Sequence, residues 1–142
     1  MIEINNLTNF AVDKTFFMGV AKKVLKGENR GTENLSIAFV IKKEMQRLNK
    51  TCRGIDKPTD VLSFSKVLHF KEDVSEVIIC PEVVKSKSES SKINLKIELS
   101  KVLIHGILHT LGYDHEMSNS QEVRMFKKEA LYFSKLWPKV KS

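Results

Sequence analysis

Cysteine is scarce in this 142-residue sequence: Cys52 and Cys80 are the only two, and neither sits in a CxxC pair. That excludes a disulfide framework and fits reduced thiols in a cytosolic protein. Long apolar runs are also lacking, and none approaches the length needed to cross a bilayer, so no membrane partner is expected. The opening Met1-Ile2-Glu3-Ile4-Asn5 has neither the basic nor the apolar segment of a secretory leader. A cytoplasmic location is the expectation. No internal repeat is present, and the one Ser-rich stretch, residues 85–92, is too short for a domain linker. A single domain over residues 1–142 is therefore expected, and a chain of this length can bury a real core. Hydrophobic residues at 42% and charged residues at 29% are ordinary for a soluble globular protein.

Acidic residues are also in short supply. Seventeen Asp and Glu stand against 24 Lys and Arg, giving a net charge of +7. This favours a polyanionic partner. Part of the excess is concentrated: residues 42–57 hold Lys42, Lys43, Arg47, Lys50, Arg53 and Lys57 against Glu44 and Asp56. Taken by itself, such a segment reads most simply as a solvated helix face.

Histidine is rare but clustered, with three of the four lying in His105-Gly106-Ile107-Leu108-His109-Thr110-Leu111-Gly112-Tyr113-Asp114-His115. His105 and His109 are four apart, which on a helix places them one turn above the other on a single face. Gly112 suits the left-handed position that ends a helix, and beyond it the chain can double back to bring His115 to the same point. Val102, Leu103, Ile104, Ile107, Leu108 and Leu111 make the helix apolar over most of its circumference, hence largely buried. Buried imidazoles need partners, and a metal ion supplies them. Three His ligands with a vacant fourth position is how a catalytic zinc is commonly held. One zinc ion on His105, His109 and His115 is the expected cofactor.

The spacing of these residues matches the metzincin peptidase pattern H-E-x-x-H-x-x-G-x-x-H, with one departure. Gly106 stands where those enzymes carry the Glu that takes a proton from the zinc-bound water. The ligands of a metalloprotease are present and its base is missing.

His-Gly-x-Leu-His-x-x-Gly-Tyr-Asp-His instead resembles the signature of the YbeY family, zinc-dependent endoribonucleases of bacterial ribosomal RNA maturation. The resemblance extends to Leu48-Asn49 and to Arg53-Gly54-x-Asp56-Lys57-Pro58-Thr59-Asp60-Val61-Leu62-Ser63-Phe64, in the same order over most of the chain. Departures from the usual pattern fall at Cys52, Ser65, Thr110 and Ser75-Glu76-Val77, none of them a ligand position. The resemblance implies a single-strand-specific endoribonuclease acting on a ribosomal RNA precursor of the small subunit, with no DNA substrate. It also places Arg53 in the active cleft as a catalytic residue. The residues alone show only a basic side chain before a loop.

The remaining chain reads as a small mixed β-sheet packed with about five helices, an α+β fold whose zincin-like central helix carries the metal ligands. Ile2 and Ile4 alternate in a short first strand. A helix follows from Asp13, with Phe16, Phe17, Val20, Ala21, Val24 and Leu25 on its apolar face and Gly27 at its end. Glu28-Asn29-Arg30-Gly31 reads as a turn. Residues 35–41 suit a strand covered on both faces, and Ile41, Met45 and Leu48 begin a short basic helix. Strands are expected at 61–64 and 74–80, with His69 between them an ordinary packing or surface residue, and Pro81 opens a helix. The metal-bearing helix is expected over 94–111. Ser118 and Gln121 form a capping box for a last helix whose apolar face is Val123, Phe126, Ala130, Phe133 and Trp137, closing the core behind the metal site.

Chemically, a divalent ion held by neutral imidazoles lowers the pKa of a bound water toward ~7, which serves phosphodiester and amide cleavage alike. The missing Glu and the basic face favour RNA. Arg53 can hold two phosphate oxygens and offset charge in the transition state. Asp114 suits either a bond to a ligand imidazole or the turn after Gly112, and Asp60 suits a loop anchor beside Thr59. Two other readings compete: a zinc peptidase, and a non-catalytic RNA-binding assembly factor whose metal holds the fold.

Overall fold

The computed structural model describes residues 1–65, 73–87, 94–113 and 119–140. Its elements run β1 (Ile2–Asn6), α1 (Lys14–Gly27), β2 (Asn34–Phe39), α2 (Lys42–Arg53), β3 (Val61–Phe64), β4 (Val74–Ile79), α3 (Pro81–Lys87), α4 (Leu95–Thr110) and α5 (Asn119–Leu136). The expected α+β architecture is present. β1, β2 and β4 are parallel, and β3 joins β4 antiparallel at one edge, in the order β1-β2-β4-β3.

Alternation along the strands divides the core in two. Leu35, Ile37, Phe39, Val77 and Ile79 face α1 and α4, where Phe17, Val20, Val24, Leu103, Ile104 and Ile107 are buried with them. The other face sends Leu62 and Ile78 against Met45 of α2, with Val40, Cys80 and Val83. Ile41, expected to continue β2, instead precedes α2 and is 48% exposed. Val40 N–H still bonds the carbonyl of Ile79 at 2.9 Å, and the chain then enters α2 through Ile41 as its N-cap. Helix starts follow the local chemistry: Asp13 Oδ1 accepts the N–H of Phe16 at 3.0 Å, and Asn94 Oδ1 accepts that of Lys96 at 2.9 Å.

Helix α4 lies unusually close to the sheet. A Cβ at Gly106 would come within 2.7 Å of Val77 Cγ1 and 3.2 Å of both Ser63 Oγ and Val61 Cγ2. Ser63 Oγ uses the same approach to donate a 3.0 Å hydrogen bond to the Gly106 carbonyl. Only glycine fits between helix and strands here.

A second constraint ties α5 to the rest. The Glu28 carboxylate, just past α1, accepts hydrogen bonds from Tyr113 Oη at 2.5 Å and from Tyr132 Oη, and pairs with Lys128 Nζ at 3.2 Å. Its side chain is only 8% exposed. Burial pushes this carboxyl up, but the bonds from Tyr113, Tyr132 and Lys128 outweigh burial and hold it below the ordinary 4.5. Burial, together with Glu28 itself, raises both phenols. Anchored this way, α5 buries Met125, Tyr132 and Phe133. The expected apolar face is therefore corrected: Phe133 is inside, while Val123 and Phe126 are 52% and 72% exposed. Tyr132 wins the inward position because its hydroxyl satisfies a buried carboxylate, which neither Val123 nor Phe126 can do. Ser118 of the expected capping box, His69 and most of the Ser-rich stretch lie outside the described residues.

Two expectations follow. Gly106→Ala should cost about 1–3 kcal/mol through overpacking, read as a lower urea midpoint with unchanged slope; an unchanged midpoint would show that the helix can lift at no cost. Glu28→Gln should be less stable than the wild type near pH 7. Because the folded carboxyl is lowered, its contribution is complete above its ordinary value and vanishes as pH falls through the folded value. Urea titrations across acid pH should show the gap between the two proteins closing below about pH 4.5. A gap independent of pH would refute the ionised hub.

Candidate metal centre

The histidine pair is set by helix geometry. His105 and His109 lie one turn apart on α4, their ring centroids 4.6 Å apart at an interplanar angle of 72°. Both are half-buried, flanked by buried Ile104, Gly106, Ile107, Leu108 and Thr110. The tight packing of Gly106 against β3 and β4 fixes the rotation of α4 about its axis, and with it the side on which both rings emerge.

One of these rings has a carboxylate partner. Glu129 Oε2 on α5 lies 2.9 Å from Nδ1 of His105. A carboxylate only accepts, so in the neutral ring the proton sits on Nδ1 and Nε2 carries the lone pair. This arrangement of carboxylate, imidazole and metal is the common way that an outer residue fixes a ligand's orientation. The sequence reading missed Glu129 and Glu28. Glu129 lies 24 positions from His105 with no motif linking them, and Glu28 sits in what reads as a plain turn. A hint was available in α5, where Glu129 falls one turn after buried Met125 and interrupts the apolar spacing.

After His109 the chain turns as expected. Gly112 has φ 102°, its N–H bonds the His109 carbonyl at 3.1 Å, and the N–H of Tyr113 bonds the Leu108 carbonyl at 3.1 Å. These two bonds are a Schellman cap, which reverses the chain at the helix end. Tyr113 is then pinned by its hydroxyl to Glu28. His115, two residues on, lies outside the described residues, as does Asp114. Among the described residues no group of three His, Cys, Asp or Glu side chains forms a metal site. The structure thus places two of the three expected ligands together. Those two fit a zinc ion by chemistry: paired imidazoles, one with its tautomer set, on a buried helix.

Arg53 is the last residue of α2, exposed, with no hydrogen bond or ion pair to the histidine pair among the described residues. Asp60 anchors its loop as expected: its carbonyl accepts Cys80 N–H at 2.9 Å, and its carboxylate meets Thr59 Oγ1 at 3.3 Å and Lys87 Nζ at 3.4 Å. Asn49 is buried and donates to the Lys57 carbonyl at 2.8 Å, holding the loop that follows Arg53. Beside the turn after α4, a cleft of about 260 Å³ is lined by Glu28, Arg30, Tyr113, Gln121 and Arg124.

Comparison with known proteins follows the same outline. A family model described as Endoribonuclease YbeY matches residues 3–137. A protein of that name from Bdellovibrio bacteriovorus is 40% identical over 119 residues, covering 84% of this chain and 77% of its own. Another from Thermotoga neapolitana is 39% identical over 107 residues, covering 75% and 70%. The solution structure of a Thermotoga maritima protein superimposes with a TM-score of 0.68 at 28% identity, over 97% of this chain and 90% of that one. With its histidine helix, its glycine in place of a proteolytic glutamate and its match over residues 3–137, the chain belongs to the YbeY family.

Proposed function

We propose that this protein is a zinc-dependent endoribonuclease that cleaves single-stranded RNA during ribosomal RNA maturation. The zinc is held by His105, His109 and His115. The reading is carried by the pairing of His105 with Glu129, 2.9 Å apart, on a helix whose neighbouring position has no room for a carboxylate. Family membership supplies the nuclease class, since the relatives of 39–40% identity carry the name Endoribonuclease YbeY.

When bound, zinc supplies a Lewis acid and acidifies a water near neutral pH. The chain's own residues do the rest. Glu129 holds the His105 proton on Nδ1, so that Nε2 carries the ring's lone pair. Arg53 stands exposed at the end of a basic helix, where its planar guanidinium can take two phosphate oxygens and balance charge as it builds. Lys42, Lys43 and Lys50 on the same helix draw the polyanion in. No helix among the described residues is long and apolar enough to cross a membrane, and Cys52 and Cys80 are both free thiols. These features fit the cytoplasm, where precursor ribosomal RNA of the small subunit is found.

A peptidase is disfavoured by the packing at Gly106, where any added side chain meets Val77 and Ser63. The purified protein with zinc should cut labelled single-stranded RNA and leave casein intact, and a chelator should abolish the cut. His109→Ala should abolish it too, and Arg53→Ala should slow it on the order of a hundredfold. RNA binding without cleavage by the zinc-loaded wild type would move the protein to the class of assembly factors. Separately, Glu129→Ala should weaken zinc binding by about ten- to a hundredfold in competition with a chelating dye, and should mix the His105 tautomers in ¹⁵N spectra. Unaltered affinity and an unaltered tautomer would remove Glu129 from the site.

A further inference from the structure

The rotation of α5 leaves an aromatic ring in the open. Phe126 is 72% exposed on α5, directly after buried Met125. It borders a groove of about 160 Å³ between α4 and α5, floored by Ile104, Ala130 and Phe133. A ring left this far in water contributes little to the stability of the chain and is open to a ligand.

Three observations say which ligand. Glu129 lies on the groove wall and touches His105, so an occupant of the groove sits next to the proposed metal centre. Lys101 lines the same groove, its ammonium 5.0 Å from the Phe133 ring and 3.5 Å from Glu98 Oε1, its side chain 39% exposed. Lys127, next to Phe126, is exposed. An exposed aromatic face with cations at its margin is the usual means of holding single-stranded nucleic acid: the ring stacks a base and the ammonium groups meet its phosphates. We infer that Phe126 and the α4–α5 groove form a base-stacking subsite for a nucleotide of the RNA strand beside the cleavage centre. This inference rests on the nuclease reading and adds where the strand is gripped. Stacking favours any base, so the subsite provides hold and strand selectivity, not sequence choice; a paired duplex cannot offer a free base face.

The test uses chelator-treated protein, which binds without cutting. The probes are a short labelled oligoribonucleotide carrying one 2-aminopurine, and an abasic ribose-phosphate strand of equal length. Phe126→Ala and Phe126→Leu should each weaken binding of the first probe about tenfold and relieve 2-aminopurine quenching. Phe126→Tyr and Phe126→Trp should retain both, and all four should bind the abasic strand like the wild type. Phe126→Leu binding and quenching as well as Phe126 would overturn the stacking subsite, because apolar contact alone would suffice. So would self-association lost in Phe126→Ala with RNA affinity unchanged, which would assign the face to a second copy of the chain. If the wild type binds neither probe and cuts no RNA with zinc restored, the nuclease reading falls as well. If it binds and cuts while Phe126→Ala does likewise, only the subsite falls.

Discussion

Everything at the candidate site depends on how closely α4 lies on the sheet. The helix touches β3 and β4 through the bare backbone of Gly106, with Val77, Ser63 and Val61 against it. Close-packed interiors leave no slack for a side chain at such a point. That single contact fixes the rotation of α4, and rotation decides where His105 and His109 emerge. The same contact denies a carboxylate to the position beside His105. Packing thus leaves no room for the glutamate of the metzincin pattern, and the imidazole pair is set by the same packing.

The second determinant is the buried carboxylate of Glu28. Two phenols and an ammonium group converge on it, from the turn after α4 and from α5. An ionised group taken out of water is costly unless fully bonded, so α5 has little choice of rotation. With Tyr132 inward, Glu129 reaches His105 and Phe126 turns out. A polar requirement at one end of the helix therefore sets both the orientation of the His105 imidazole and the exposure of an aromatic ring several residues away.

Much of the fold was legible because it is written in short-range patterns. Asp13 announces a helix start by capping, Pro81 opens α3, and strand β3 occupies the expected residues 61–64. The helix over the histidines ends at the glycine expected to end it. What could not be read were pairings across the chain. Glu28 looks like part of a turn until Tyr113 and Tyr132 are beside it, and Phe126 looks like core until α5 is rotated by its polar anchor. Periodicity gives an apolar face but not which of two overlapping faces wins, and in α5 a hydrogen bond decided. At the site, the helical pair of histidines was legible from spacing, while the Glu129 contact depends on tertiary placement.

The Glu28 hub also orders events during synthesis. Tyr113 and Tyr132 lie 85 and 104 positions beyond Glu28, so the hub closes very long loops. Local helices form early, but nothing can draw α5 into place until the ribosome has released its final turns. A nascent chain therefore carries both α4 imidazoles well before it carries the carboxylate that aligns one of them. The histidine pair thus gains its orienting partner only after α4 itself has been made.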